Sequence, residues 1–470
     1  MLALVCPTAS EEREPEMTRE TVRTAVEDLA AQGVVGVTVV WVDNNGISRS
    51  RTVPVSGLES VAERGIGITP LFAVFDSLDG ITFGHDGLGT PSGDIRLVPE
   101  CDRLVRLSGQ PGFAWVPGRQ VAADGSPWPY DQRGVLERQV ERGGRLGLSF
   151  LAGYEMEFQL LRPEPGSQQL RPAHDGPSYG PLRTLAVDEF AEQLLRDLGG
   201  NGIEVNQFHG EYGPGQYELS MAAADPVTAA DHQVLARQTI HAAARAHGLR
   251  ASFAPLVELG QVGNGWHLHT SVSRAGQNVL SGGSGPGELG PEGAAYLAGL
   301  LRDLRAVVAV TAPSLSSLQR RRPGYWSGAY GFWGVENREA ALRLVPGSTL
   351  VGAANANIEL KPSDASANPY LAIAAVLAAG LGGIEDGLTP PEPVAQDPGT
   401  WTEHQRAERG IAALPSTMAE QLDALMTNKR IRTALGEELA DAFRAVREAD
   451  VAWAAERTDA EVLAAHRWLY

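Results

Sequence analysis

The sequence of 470 residues contains little cysteine, with only Cys6 and Cys101. Two thiols are too few for a disulfide framework or a thiolate metal site in a chain of this size. Long apolar runs are also missing, because the longest uncharged one, Tyr370 to Ile384, is shorter than a membrane span. That run is rich in Ala and Gly, which predicts a helix packed tightly inside the core of a soluble protein.

The chain has no excess of positive charge. Its 39 Lys and Arg residues stand against 57 Asp and Glu residues, for a formal net charge of −18. Nucleic-acid binding depends on clustered positive charge, so the sequence predicts no nucleic-acid partner. The stretch from Met1 to Cys6 lacks the basic segment and apolar core of a secretory signal, and we expect a cytoplasmic protein without a membrane partner.

The N-terminal part of the chain has the pattern of a small β domain. Helical spacing runs from Thr18 to Ala31, and two β-rich runs, Val34 to Val42 and Ile47 to Val55, flank an Asn-Gly turn. A Pro- and Gly-rich passage beginning at Gly109 separates this part from a remainder in which strands alternate with Ala-rich helices. We predict two domains, at residues 18–125 and 126–470.

Two glutamates stand side by side in the run Leu151 to Leu160. Residues alternate between the faces of a strand, so Glu155 and Glu157 share one face. Like charges at this spacing repel each other unless divalent cations neutralise them. Taken alone, the pair also fits a solvated strand face.

Two further motifs offer carboxylates and imidazoles. A Gly-Pro-Gly turn separates Glu211 from a strand that carries Glu218, so both glutamates could return to one ligand, although the turn itself indicates only a hairpin. His267 and His269 share another strand face. Iron-binding β-barrels also use His-x-His, but the next glutamate here is the distant Glu288.

The fourth motif places Asn357, Glu359 and Lys361 on the polar side of a strand that precedes a helix with Pro369 near its first turn. An amphipathic edge strand is the simpler interpretation of this motif alone. Together, however, four strands each offer a carboxylate or an imidazole to one face. Such a site of mainly oxygen ligands suits magnesium or manganese.

The order of these motifs resembles that of type I glutamine synthetases. The set is Glu-x-Glu, Glu then Gly-Gln-x-Glu, Asn-Gly-x-His-x-His-x-Ser, Arg-x-x-Pro-Gly-Tyr, Asn-Arg then Arg, Asn-x-Glu, and Ala-Asn-Pro-Tyr-Leu-Ala. It covers the chain from about Gly93 onward. The resemblance implies an α+β fold with a small N-terminal β-grasp domain and a large glutamine synthetase-type α/β catalytic domain. It also implies a homo-oligomer, a dodecamer of two hexameric rings.

The resemblance also implies roles for individual residues. One metal is expected at Glu157, Glu211 and Glu218, and a second at Glu155, His267 and Glu359. ATP is expected at His269 and Ser271, glutamate at Asn264 and Gly265, and the transferred phosphate and substrate carboxylates at Arg320, Arg338 and Arg343. In the implied reaction ATP converts the γ-carboxyl of glutamate to an acyl phosphate, with Mg²⁺ or Mn²⁺ as cofactor, and an amine then displaces phosphate.

The family pattern breaks on the acceptor side. In the run Arg320 to Trp326, Trp326 replaces the family's glutamate that binds ammonium and takes its proton. Lys361 stands where an arginine usually contacts substrate, and Asn206 where a glutamate lies near the nucleotide. The family's Phe-Asp-Gly-Ser-Ser loop is not intact, which leaves open whether Asp76, Asp79 or neither takes the place of its aspartate.

These departures resemble those of the γ-glutamyl-polyamine and γ-glutamyl-monoamine ligases of the same family. We therefore predict an ATP-dependent ligase that joins glutamate to a mono-, di- or polyamine, with Trp326 stacking on the amine or attracting a distal ammonium through its π face. One alternative is an ammonia-using glutamine synthetase in which Trp326 only packs. Another is a non-catalytic relative that acts as a sensor or structural ring.

Overall fold

The computed structural model describes residues 19–85, 87–163, 170–348 and 350–470. Thr18, where the first helix was expected to begin, and Cys6 lie outside the described residues. The strands of the described ranges are β1 Gly36–Val42, β2 Ser48–Pro54, β3 Ile66–Ile68, β4 Ile95–Pro99, β5 Val105–Arg106, β6 Phe113–Val121, β7 Leu148–Arg162, β8 Arg171–Pro172, β9 Val205–Gly210, β10 Gln216–Met221, β11 Arg250–Ser252, β12 Trp266–Arg274, β13 Gln277–Asn278, β14 Trp333–Val335, β15 Leu342–Val345 and β16 Asn357–Leu360.

Helices connect and cover these strands. In chain order they are α1 Arg19–Ala31, α2 Leu58–Arg64, α3 Gln132–Arg145, α4 Pro181–Leu185, α5 Asp188–Gly200, α6 Pro226–Ala246, α7 Pro291–Thr311, α8 Leu315–Arg320, α9 Pro369–Glu385, α10 Glu403–Glu408, α11 Met418–Thr427, α12 Lys429–Leu435, α13 Glu437–Ala454 and α14 Asp459–His466. Within the described ranges, no helix combines the length and the apolar composition that crossing a membrane requires.

The N-terminal sheet has six strands, in the order β2-β1-β6-β4-β3 with β5 beside β6. The hairpin expected around the Asn-Gly turn is confirmed, since β1 and β2 pair in antiparallel fashion. Strand β1 runs parallel to β6, which encloses a core that includes Val37, Trp41 and Val116. Cys101 is buried in the same core, and its burial raises the thiol pKa to about 11.

The second sheet has ten strands, in the order β14-β15-β16-β12-β7-β10-β9, with β8 and β11 beside β7 and β13 beside β12. All its pairs are antiparallel except β14 with β15. The two sheets and the helices together make an α+β fold, as the family resemblance implies. The boundary predicted between residues 125 and 126 falls between β6 and α3, and the extents of the two domains stay a prediction.

The apolar run Tyr370 to Ile384 forms the central helix α9, which is buried from its first residue to Gly383. The expectation of a core helix is therefore confirmed. Helix α7 crosses α9 where Gly299 faces Gly383, and a Cβ atom on Gly299 would lie 2.6 Å from the Gly383 Cα atom. The two backbones can approach this closely only because both residues are glycine.

Asn368 links the two parts of the chain at the start of α9. Its side-chain oxygen caps the helix by accepting hydrogen bonds from the amides of Tyr370 and Leu371. Its side-chain nitrogen donates to the carbonyl oxygens of Val42 and Asp43, at 3.0 Å each. One buried amide thus attaches the end of the N-terminal hairpin to the helix beneath the large sheet.

Candidate active site

The polar motifs form one row across the large sheet because their strands pair in register. Glu218 lies opposite Glu157, Glu155 opposite His267, and Glu359 opposite both His269 and Arg343. Directly paired residues of antiparallel strands point to the same face. Four strands that are separate in the sequence therefore present carboxylates and imidazoles side by side.

This row opens onto a cavity of about 1810 Å³. The cavity is lined by most of the site residues that the sequence predicts: Glu155, Glu157, Glu211, Glu218, His267, His269, Arg320, Trp326, Arg338, Arg343, Glu359 and Lys361. Asn264, Gly265 and Ser271 are not among its lining residues. The cavity exceeds the roughly 300–1,000 Å³ of common ligand sites, which leaves room for several substrates together.

The first candidate metal position lies between β7, β12 and β16. One ligand atom from each of Glu155, His267 and Glu359 falls within 4.8 Å of the others. The Nδ1 atom of His267 is 3.3 Å from Glu155 Oε2 and 3.4 Å from Glu359 Oε1. Two carboxylates and one imidazole fit a divalent cation, and the family resemblance implies the same three ligands.

The surroundings keep both carboxylates of this group ionised. Burial opposes ionisation of Glu155, but the hydrogen bond with His267 and the imidazole of His269, whose Nε2 atom lies 3.4 Å away, together outweigh burial and hold its pKa below the usual range. Burial also opposes ionisation of Glu359. The nearby Lys361 ammonium, 3.1 Å away, is the main opposing charge, and the pKa of Glu359 falls to about 2. Ionised oxygens are what a cation requires as ligands.

The second candidate position lies beside the β9–β10 hairpin and contains His209, Glu211 and Glu218, again with ligand atoms within 4.8 Å of one another. The resemblance implies Glu157 here rather than His209. Glu157 lines the same cavity, but its Oε2 atom accepts hydrogen bonds from the Gly265 amide at 2.6 Å and from the Gln216 side chain at 3.1 Å. These bonds fix its orientation.

Sequence reasoning missed His209. Its Nε2 atom lies 3.3 Å from Glu218 Oε1, and the hydrogen bond to Glu218 raises the pKa of His209 to about 9. A signal was present, because alternation along β9 places His209 on the face of Glu211. The pairing with Glu218 follows only from the hairpin register.

Negative charge accumulates around Glu211. Burial, and then the charges of Glu157 and Glu218, raise the pKa of its carboxyl. Such mutual repulsion is relieved when a divalent cation binds between the carboxylates. The group is thus chemically suited to Mg²⁺ or Mn²⁺.

Asn264 and Gly265 lie behind the cavity wall, where they support other site residues. Asn264 is buried and bridges the Gln216 side chain and the Ala254 carbonyl. A Cβ atom on Gly265 would lie 2.6 Å from Arg320 Nη2 and from His267 Nε2. Only glycine fits between these two side chains without displacing them.

Strand β12 and its neighbours form the opposite end of the row. His269 Nδ1 lies 2.9 Å from the Asn357 side-chain oxygen, while Ser271 donates to the Ala356 carbonyl at 2.8 Å. Burial disfavours the charged form of His269, but the nearby carboxylates of Glu155 and Glu359, with the contact to Asn357, together outweigh burial and raise the pKa to about 9.

Arg343 presents a guanidinium that is only partly paired. Its Nη1 atom donates to Glu359 at 3.0 Å, and its buried Nε atom has no hydrogen-bond partner among the described residues. An unpaired buried donor at a cavity wall fits an anionic group such as phosphate. Arg320, in contrast, is buried and donates to the Ser363 carbonyl at 3.0 Å.

Trp326 lies in the loop after α8 and is 54% exposed to solvent. Its backbone is left-handed, with φ of 51°, and its amide donates to the Glu339 carboxylate at 3.2 Å. Its side chain lines the cavity with Tyr325. Tyr179 and Tyr212 also line the cavity, so its wall contains several partly exposed aromatic rings.

The aspartates of the Phe75–Gly80 run are engaged elsewhere. Asp76 accepts hydrogen bonds from the amides of Leu78 and Gly80, and Asp79 forms a salt bridge of 2.6 Å with Arg49. Among the described residues of this chain, neither aspartate belongs to the cavity lining.

Two family models match the chain. The model described as the glutamine synthetase N-terminal domain matches residues 21–128, and the glutamine synthetase catalytic domain matches residues 129–464. The chain belongs to the glutamine synthetase family. It is accordingly an ATP-dependent ligase, and enzymes of the glutamine synthetase family use ATP and divalent metals. The roles assigned above to individual residues stay predictions.

Relatives within the glutamine synthetase family match along most of the chain. The γ-glutamylpolyamine synthetase of Streptomyces coelicolor is 44% identical over 445 residues, which cover 94% of this chain and 95% of the relative. The glutamine synthetase of Pyrococcus abyssi is 33% identical over 402 residues, which cover 85% of this chain and 87% of the relative.

Two solved structures have the same fold. A glutamine synthase homologue has a TM-score of 0.83 at 34% identity and covers 93% of this chain and 99% of its own. GmaS in complex with ADP has a TM-score of 0.78 at 26% identity, and the match covers 92% of this chain and 97% of the GmaS chain.

Proposed function

We propose that this enzyme forms γ-glutamyl amides from glutamate and an organic amine, at the expense of ATP and through γ-glutamyl phosphate. The observation that carries the proposal is Trp326, whose half-exposed indole lines the cavity where the resemblance implies an ammonium-binding glutamate. An indole cannot deprotonate ammonium, but it offers area and a π face to an alkyl amine. The Streptomyces relative, a γ-glutamylpolyamine synthetase, supports the same substrate class.

The donor half of the reaction requires stabilisation of phosphoryl charge. Glu155, His267 and Glu359 would hold one Mg²⁺ or Mn²⁺ ion, and Glu157, Glu211 and Glu218 a second. Ions held by these residues would supply positive charge to neutralise the phosphoryl oxygens during the transfer.

Arginines of the cavity wall act on the same phosphoryl group. Arg338 and the unpaired Nε atom of Arg343 are the donors that we assign to it. Donors held in place before the reaction stabilise charge that develops in the transition state, and each contributes about 3 kcal/mol in comparable sites. His269 and Ser271 belong to the nucleotide end of this arrangement, and Asn264, Gly265 and Lys361 to the glutamate end.

The acceptor half requires a neutral amine. An alkylammonium ion has a pKa of about 10, so most of the amine in solution carries a proton at neutral pH. The attacking nitrogen must lose that proton before it displaces phosphate from the acyl phosphate, with formation of the C–N bond and cleavage of the C–O bond. The carboxylates that line the cavity supply negative potential that attracts the cationic amine.

A screen of acceptors tests the function directly. The full-length protein is incubated with ATP, Mg²⁺ and glutamate, and phosphate release is followed with ammonium, alkyl amines, diamines, polyamines and arylalkyl amines, while mass spectrometry identifies the amide. We expect at least one organic amine to give a much higher kcat/KM than ammonium. If ammonium equals every amine, the enzyme is an ammonia-using glutamine synthetase. If no acceptor yields phosphate, the proposed glutamate–amine ligation is refuted.

The dodecamer of two hexameric rings that the resemblance implies is also part of the proposal. Large apolar side chains such as Phe83 and Leu350 are 73% and 98% exposed in one chain, and subunit contacts commonly cover such groups. Light scattering coupled to size exclusion should give twelve times the mass of one chain. A mass of one or two chains at micromolar concentration would contradict this assembly.

A further inference from the structure

Glu339 places a carboxylate beside the backbone of Trp326. Its Oε1 atom lies 3.2 Å from the Trp326 backbone nitrogen and accepts a hydrogen bond from it. This contact brings a negative charge next to the residue that lacks one. Position 339 has no role in the family pattern set out above.

The turn that carries Glu339 is anchored at both ends. It connects β14 with β15, and the Glu339 amide donates to the Asn337 side-chain oxygen at 3.0 Å. The Asn337 side-chain nitrogen in turn donates to the carbonyls of Val394 and Gln396, at 2.8 and 3.0 Å. The neighbouring Arg338 lines the cavity. Glu339 is therefore held at a defined place beside the acceptor loop.

No cationic side chain of the described ranges forms a salt bridge with Glu339. Burial raises its pKa and the Trp326 amide lowers it. The charge of Asp397 raises the pKa further, while Lys361, which lines the cavity, lowers it. Glu339 is not itself among the residues that line the cavity, and its contact with the cavity wall is the hydrogen bond from the Trp326 amide. A half-buried carboxylate without a counter-ion attracts a cation.

We infer that Glu339 and the indole of Trp326 form a subsite for the second, protonated nitrogen of a diamine or polyamine whose first nitrogen attacks the acyl phosphate. The inference rests on the proposed function and narrows its substrate class. The family carries a glutamate at position 326; in this chain the indole of Trp326 stands at that position, and Glu339 supplies a carboxylate to its backbone amide. A distal ammonium then meets a π face and a carboxylate together, while the reacting nitrogen stays close to the metals.

The test compares two acceptors that differ only at the distal end. 1,4-Diaminobutane carries a second ammonium group in place of one hydrogen atom of the terminal methyl group of n-butylamine. With ATP, Mg²⁺ and glutamate, the wild-type protein should prefer the diamine. Glu339→Gln should lower the ratio of kcat/KM for the diamine to that for butylamine by roughly tenfold, as expected for loss of one charge-assisted contact. The loss should appear in KM for the diamine.

The glutamine variant retains an oxygen that can accept from the Trp326 amide, so the loop conformation is preserved. Glu336→Gln is the matched control. Glu336 is an exposed glutamate of the same connection, three residues before Glu339, and its replacement removes the same charge. The ratio of kcat/KM for the diamine to that for butylamine should equal the wild-type ratio in this control. If Glu339→Gln lowered kcat/KM equally for both amines, Glu339 would only hold the loop in place, and the subsite proposal would be overturned. Equal use of both amines by the wild type would overturn it as well. Failure of every amine against ammonium would instead refute the proposed function.

Discussion

Gly265 illustrates how closely single residues constrain the site. It separates Arg320 from His267, and its amide also donates to Glu157, so three predicted site residues depend on the space it leaves empty. Gly265 does not have a positive φ, so its backbone conformation does not itself require glycine. The reason for glycine is therefore side-chain crowding rather than backbone strain.

We expect Gly265→Ala to lower kcat/KM for glutamate by roughly a hundredfold, because displacement of catalytic groups by about 1 Å has effects of this size. The thermal unfolding midpoint should change little, since the added methyl group meets the ends of side chains. Gly144→Ala serves as the control, because a Cβ atom there meets nothing within 4 Å. A Gly265→Ala enzyme with more than half of the wild-type rate would argue against the arrangement of these three residues.

Trp326 is the residue at which acceptor choice can be reversed. Trp326→Glu restores a carboxylate that can hold ammonium, so the ratio of kcat/KM for ammonium to that for the preferred amine should rise at least about tenfold. Trp326→Leu removes the indole without adding a carboxylate, and it should weaken amine use without improving ammonium use. Identical ratios in the two variants would show that position 326 does not select the acceptor.

At the scale of the elements, the sequence predicted what local patterns determine. Alternation in β7 placed Glu155 and Glu157 on one face, and the uncharged run identified α9 as a core helix. His209 and Glu339 were missed because their partners lie on other segments. Alternation along β9 indicates the face of His209, but its contact with Glu218 follows only from the hairpin register, and Glu339 reaches Trp326 from the connection between β14 and β15. Periodicity along one segment indicates a face but does not identify the partner opposite it.

Asn368 offers a test of the link between α9 and the N-terminal hairpin. Asn368→Asp keeps the oxygen that caps the helix but loses the two hydrogen bonds to the hairpin, and it sets a carboxylate against two carbonyl oxygens. We expect a loss of about 2–4 kcal/mol, measured as a lower midpoint of chemical unfolding. Thr458→Ala removes an exposed cap of α14 and should cost only about 1 kcal/mol. Equal losses in the two variants would mean that the hairpin contacts contribute nothing.

At the scale of the whole molecule, charge is the property that stands out. The chain carries a formal charge of −18, and part of this excess is concentrated in the cavity. Composition alone predicted the sign of this charge but not its location, which depends on how β7, β10, β12 and β16 align. Groups selected for metal binding repel one another before metal arrives, so the site is expected to lower stability for the sake of function.

Glu211→Gln should therefore stabilise the metal-free protein while it weakens the response to metal. Glu211 carries a carboxyl whose pKa is raised by burial and by Glu157 and Glu218, so replacing it with a neutral amide relieves the repulsion among these carboxylates and should raise the unfolding midpoint in chelator by a few degrees. Mg²⁺ should raise the midpoint of the wild type more than that of the variant, because binding to the folded state alone stabilises it in proportion to affinity. Glu204→Gln removes a charge that lies outside the cavity lining and should shift neither value. A variant that is less stable than the wild type in chelator would show that Glu211 is not under repulsion. A variant that responds to Mg²⁺ as the wild type does would show that Glu211 is not a metal ligand.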